Sequence, residues 1–395
     1  MHYTPRDELE TRIQRFQARL RAAGVDGALI LQRADLFYFS GTTQQAHLYV
    51  PAEGAPVLMV RRSYERARKE SALKEVAPLR SVRKLPELLS DHGHTPSRLG
   101  LEMDVVPAST YLFYQDRIFS GTEMVDVSAM IRETRAVKSD YEIAQIRGAG
   151  RRMEQVMQQV PELIEEGMSQ VVFASRVEAA ARALSHPGEI WMRNWNQNPF
   201  YGNIVAGAEG AIATYFDAAV GGLGLGPSMP VGPSEAPLRR GEPIIVDFTF
   251  VHNGYVVDQT RTFAIGELDS SLVEAYDAML EIQALVVEAA RPGVTGGELY
   301  DLAVERATAR GYAEYFMGHG EGQVLFIGHG IGLEIDEWPL LARRAGMELV
   351  PGMVFALEPK VVFPGVGAVG VENNWVVREA GVERLTMTDD ALRII

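Results

Sequence analysis

Five side chains in this sequence have the types and spacing of a metal-ion site: Asp247, Asp258, His329, Glu358 and Glu372. The first two lie in residues 244–263, IIVDFTFVHNGYVVDQTRTF, where two apolar runs flank Asn253-Gly254. An Asn-Gly pair between such runs is the strongest short-range signal for a two-residue hairpin turn. With the turn there, Asp258 lies opposite Thr249 and Asp247 lies opposite Thr260. Side chains alternate faces along a strand and opposed residues share a face, so all four point the same way. The two carboxylates become diagonal neighbours, roughly 7 Å apart at the backbone. Val246, Phe248, Phe250 and Val257 point to the other face and into a core.

The other three candidates come later. Gly328, Gly330 and Gly332 alternate around His329. Glycines allow close backbone approach and positive φ, so 326–339 reads as a loop built around one histidine. Residues 353–377 read as two strands turning near Pro364-Gly365. Glu358 and Glu372 are equidistant from Gly365, and a hairpin centred there puts both on one face, with the several glycines leaving the register open. Taken singly, each residue has a plainer role: an aspartate at a solvated strand edge, a histidine hydrogen-bonded in a core. A carboxylate buried in an apolar run without a partner is costly, however. Four carboxylates and one imidazole suit two hard or borderline divalent ions.

The elements that must position these groups are those of a large, well-filled chain. Its 395 residues are 47% hydrophobic, enough for two domains with substantial cores. The formal charge of −14 makes a nucleic-acid partner unfavourable. With no cysteine there is no disulfide framework and no thiolate chemistry. The first residues, MHYTPRDELETR, lack the apolar core of a signal peptide, and no run of eighteen apolar residues could span a bilayer. The expectation is a soluble, cytoplasmic protein with no membrane contact.

Leu9, Ile13, Phe16 and Leu20 recur at helical spacing and predict a helix over 7–23, ended by Gly24. Strands are expected at 25–31, 36–39, 46–50, 56–60 and 98–105, with a charged helix over 61–74. Alternating helix and strand over about 130 residues argues an α/β domain. The junction lies in 131–160, where Ser139 or Asp140 caps a helix. A second helix is expected at 169–184. Residues 189–242 are rich in Gly, Asn, Pro and Trp and read largely as pocket-lining loop. Two further helices, 271–290 and 295–310, precede the His329 segment.

The runs D-x10-D-x-T-R-T and G-H-G-x-G, with two later glutamates, resemble the superfamily of methionine aminopeptidase, aminopeptidase P and prolidase. The 29 residues from His329 to Glu358 and 14 from Glu358 to Glu372 look most like prolidases. The resemblance covers nearly the whole chain. It implies an α+β "pita-bread" catalytic domain over 136–395, preceded by a smaller α/β creatinase-type domain over 1–135. It also implies two divalent ions (Mn, Co, Zn or Fe). Asp247 would chelate one; Asp258 and Glu372 would bridge both; His329 and Glu358 would complete the second. A water activated between the ions would be the nucleophile, with Glu358 as the catalytic proton shuttle. Thr260 would support a ligand from behind. The implied activity is hydrolysis of small peptides next to proline, as a dipeptidase or aminopeptidase, in a homodimer.

The outer residues depart from the family's pattern. Asp336 stands where such peptidases carry a histidine seven residues after the metal histidine. No histidine occurs near 228–231, Gly370 replaces an arginine two before the last glutamate, and Leu325 replaces a histidine four before His329. Asp336 and His319 are the candidate substrate-side groups. Two other functions therefore stay open: hydrolysis of a non-peptide C–N bond, as in creatinase, and a non-catalytic binding protein on the same fold.

Overall fold

The computed structural model describes residues 2–193, 195–197 and 200–395. The chain divides into two compact units, Met1–Arg135 with Arg193–Trp195, and Ala136–Met192 with Asn196–Ile395.

The first unit is built on a six-stranded sheet in the order Glu75–Pro78, Val57–Val60, Ala46–Pro51, Gly27–Ile30, Arg98–Leu101, Glu123–Asp126. The helix Arg6–Ala22 forms where the apolar spacing predicts it and buries Leu9, Ile13, Phe16 and Leu20. One expected strand is not a strand. Residues 36–39 belong to the helix Arg33–Ser40, which starts with the Gln32 side chain accepting from the Asp35 amide and ends on Gly41 at φ 75°. A four-residue apolar run has no period of its own, and here the cap and the left-handed glycine decide for helix.

In the second unit, the helix Asp140–Leu163 opens on a capping box. Ser139 Oγ accepts from the Glu142 amide, and Glu142 Oε2 accepts from the Ser139 amide. This helix packs against both strands of the hairpin Pro243–His252 and Tyr255–Ala264. The hairpin turns at Asn253 and Gly254, both at positive φ (51° and 89°), as a turn matching the twist of its strands requires. Its register pairs Asp247 with Thr260 and Thr249 with Asp258, as expected. Val246, Phe248, Phe250 and Val257 are fully buried on the other face.

That hairpin lies in a four-stranded sheet between Arg393–Ile394 and Ile204–Ala206. A five-stranded sheet runs Ile335–Ala342, Phe326–Ile331, Val354–Leu357, Asn373–Arg378, Gly381–Arg384. Helices Ser270–Ala289 and Gly296–Ala309 contribute Met279, Ile282, Leu299 and Ala303 to a core shared with Phe355, Leu357 and Val369. Among the described residues, no helix is long and apolar enough to cross a membrane.

Two expectations are corrected here. Residues 326–339 are not a loop. His329 stands on a central strand, paired on one side with Ile335–Ala342 and on the other with Val354–Leu357. The glycines serve close strand packing: a Cβ on Gly328 would lie 2.1 Å from the Ala356 carbonyl oxygen. Residues 353–377 form four strands instead of two. Val354–Leu357 pairs with Asn373–Arg378, while Lys360–Phe363 pairs with Gly367–Gly370 in a separate two-stranded ribbon. Pro359, which has no N–H to give, falls at the break. The register is nevertheless continuous. Leu357 opposes Asn373 and Lys360 opposes Gly370, both centred on Gly365, so Glu358 and Glu372 face one another across the gap.

Candidate metal centre

The hairpin, the His329 strand and the break at Glu358 and Glu372 converge on one buried acidic group. Asp247, Asp258, His329, Glu358 and Asp336 line a single open cleft. Glu372 joins from behind: ligand atoms of Asp258, His329 and Glu372 all lie within 4.8 Å of one another. The five residues singled out in the sequence are thus together. His319 is not among the residues lining this cleft. It lies exposed, stacked on Tyr315 with ring centroids 5.4 Å apart, and its Nδ1 faces the Glu314 carbonyl.

The backbone under these groups is held by polar contacts between the sheets. Asn374 Nδ2 donates to the Asp258 carbonyl (2.6 Å), and the Asp258 amide donates to Asn374 Oδ1 (3.0 Å). Arg261, fully buried, donates to the Thr260 and Glu372 carbonyls and to Asn373 Oδ1. Thr260 Oγ1 donates to Glu372 Oε2 at 2.8 Å. His329 Nδ1 faces the Gly330 carbonyl at 3.1 Å, and a carbonyl only accepts, so Nδ1 carries a proton and, in the neutral ring that a cation would favour, Nε2 keeps its lone pair. His329 Nε2 lies 3.7 Å from Glu358 Oε1.

Charge dominates the site. Burial disfavours the imidazolium of His329, but Asp336, Glu358 and Glu372 outweigh it and hold its pKa above the ordinary value. Burial, then the negative charges of Glu372 and Asp247, push the Asp258 carboxyl well above the usual range. Burial pushes Glu372 up as well, against the pull of Lys360. Carboxyls raised in this way are short of positive charge. The contacts agree: Asp258 Oδ1 and Glu372 Oε1 are buried with no hydrogen-bond partner. Two orphaned carboxylate oxygens beside a free imidazole nitrogen fit a divalent cation.

Lys360 escaped the sequence reading. Its Nζ donates to Glu358 Oε2 (2.6 Å), Asp247 Oδ2 (2.9 Å) and Glu372 Oε2 (3.3 Å). Burial alone would discharge the amine, but these carboxylates hold its pKa well above the ordinary value. The signal was in ALEPKVVF: a lysine two positions after Glu358, on the same face, inside an apolar run. Gly370, its cross-strand partner, makes the room. A Cβ on Gly370 would lie 2.5 Å from Lys360 Cγ.

A two-unit fold with a carboxylate and histidine centre between the sheets of its second unit defines a class of metal-dependent hydrolases. The chain belongs to metallopeptidase family M24, which it matches over residues 144–379, and is a hydrolytic enzyme. Residues 12–137 match the creatinase/prolidase N-terminal domain. Similar proteins include an Xaa-Pro dipeptidase of Pyrococcus furiosus, 27% identical over 97% of this chain and 100% of the relative. A probable dipeptidase PepE of Mycobacterium bovis is 30% identical over 91% of this chain and 89% of the relative. The solved structure of an Xaa-Pro dipeptidase from Bacillus anthracis superimposes with a TM-score of 0.83 at 26% identity, covering 98% of this chain and 100% of that one.

Proposed function

We propose that the protein is a metal-dependent peptidase acting on Xaa-Pro bonds of small peptides. The observation that carries this reading is the buried group of Asp258, His329 and Glu372, open to a cleft and short of positive charge. The relatives named as Xaa-Pro dipeptidases favour a peptide over a non-peptide amide, and over a binding role without catalysis. Phe200 and Phe216, 5.6 Å apart edge to face, stand with Ile190 and Met192 on the cleft wall and offer an apolar surface to a proline ring. Asp217 and Asp336 line the same cleft and suit the α-ammonium of a peptide.

A divalent ion (Mn, Co, Zn or Fe) held by Asp258, His329 and Glu372 would supply a Lewis acid that polarises the scissile carbonyl and acidifies a water. The chain's own part is proton transfer and positioning. Glu358 Oε2 is tied to Lys360, which leaves Oε1 facing His329 to take the proton of the attacking water. The same oxygen returns that proton to the nitrogen of the leaving proline, so that water is added across the C–N bond. Thr260 and Arg261 keep Glu372 in place from behind. A cytoplasmic location, in line with the absence of cysteine, and a homodimeric state belong to the same proposal.

The test is a panel of Xaa-Pro dipeptides and Xaa-Pro-Yaa tripeptides offered to protein loaded in turn with each ion. Turnover of at least one class is expected. Inert peptides beside rapid hydrolysis of a non-peptide amide would replace this reading.

A further inference from the structure

We propose that the Lys360 ammonium is a built-in cation that takes the place of one divalent ion, so that the centre binds a single ion on Asp258, His329 and Glu372. The inference rests on the metal-dependent reading above and narrows it, because the resemblance implies two ions on the five residues.

The carboxylate oxygens of the site differ in what they accept. Asp247 Oδ2 and Glu358 Oε2 both accept from Lys360 Nζ, at 2.9 and 2.6 Å. Asp258 Oδ1 and Glu372 Oε1 are buried and accept from nothing. The acidic group is thus already divided: Asp247 and Glu358 have their counter-charge, Asp258 has none, and Glu372 has Lys360 on one oxygen only. Glu372 stands at the divide, one oxygen on Thr260 and Lys360, the other orphaned. Among the described residues, the ligand atoms that all come within 4.8 Å of one another are those of Asp258, His329 and Glu372, without Asp247 or Glu358.

Lys360 has little freedom to leave. It is 1% exposed, sits on a paired strand, and its stem lies over Gly370 where any side chain would collide with it. Its carbonyl also accepts from the Met317 amide at 2.8 Å. Charge points the same way. Four carboxylates carry four negative charges, which two divalent ions would neutralise in full. Adding a fixed ammonium among the same oxygens would force three cations together in a buried site, where like charges repel most strongly. One ion and one ammonium leave the group with a single net negative charge and every carboxylate with a cation beside it.

The experiment counts ions. The full-length protein is stripped with a chelator, dialysed to equilibrium against Mn²⁺ and assayed for manganese and protein together. Wild type is expected to saturate at one ion per chain and Lys360→Met at two. Two ions in wild type, or no gain in a folded Lys360→Met, would overturn the proposal. Asp247→Asn serves if Lys360→Met does not fold. It should still bind one ion, weakened by no more than about 100-fold, because Asp247 touches the lysine and supports the ion only indirectly. Loss of the ion in Asp247→Asn would also overturn it. Peptide turnover read on the same samples keeps the two claims apart. Two ions with turnover sinks the count alone, and one ion without turnover sinks the peptidase reading alone.

Discussion

Thr260 Oγ1 and Glu372 Oε2 are 2.8 Å apart, with both residues almost wholly buried, so one hydroxyl fixes the orientation of a candidate ligand. A carboxylate that must present its free oxygen to a cation depends on what holds the other. Thr260→Val keeps the shape and removes the donor. Metal affinity should fall by roughly 10–100-fold with the fold intact. Equilibrium dialysis against Mn²⁺, with circular dichroism as the fold control, reads this; unchanged affinity would mean that Lys360 alone orients Glu372.

A second buried ion pair supports the turn beyond His329. Lys138 Nζ lies 3.1 Å from Glu337 Oε2, with both side chains nearly inaccessible. Glu337 Oε1 accepts from the Leu333 and Glu334 amides, at 2.8 and 3.1 Å, and so shapes the turn leading to Asp336. Lys138→Met removes this buried cation from beside Glu337 and should destabilise the fold, by about 3 kcal/mol. Adding Glu337→Gln removes the facing charge while keeping an oxygen for the two amides, and should recover part of the loss. Urea unfolding of the single and double variants decides it.

Much of this architecture was legible in the sequence, and the parts that were not have identifiable physical reasons. The Asn253-Gly254 hairpin was readable down to its register, because an Asn-Gly turn admits little choice and the apolar face admits none. That the five acidic and imidazole groups come together was legible because carboxylates inside apolar runs, and a histidine among alternating glycines, are conspicuous. The segment around Phe37 misled because four apolar residues have no period. The strand bearing His329 misled because its glycines allow the close packing of a central strand as readily as a loop, and sequence does not tell the two apart. Lys360 was not legible as part of the site because a lysine in an apolar run has no spacing signature, and only the fold brings its ammonium onto the carboxylates of Glu358 and Asp247.

His47, in the first unit, gives a pH dependence separate from the metal centre. Burial, helped by Arg61, lowers its pKa to about 4, and its Nε2 lies 2.5 Å from the Tyr114 hydroxyl. The folded state therefore holds the ring neutral, while the unfolded chain protonates near the ordinary value of about 6.5. The stability is complete above about pH 6.5 and is lost as pH falls from there toward 4, by about 3 kcal/mol at most. His47→Gln does not titrate and should be less sensitive to acid over that window. Unfolding free energies at pH 7 and pH 5 for both proteins test this; equal losses would assign the acid sensitivity elsewhere.

The central claim is that peptide hydrolysis depends on a metal ion held at Asp258, His329 and Glu372. Its most direct test is release of the residue preceding proline, measured on the purified protein after chelation and again after Mn²⁺ is returned, beside Asp258→Ala. Activity should vanish on chelation, recover with the ion, and be absent throughout in Asp258→Ala. Turnover that survives chelation, or that Asp258→Ala retains, would contradict the account.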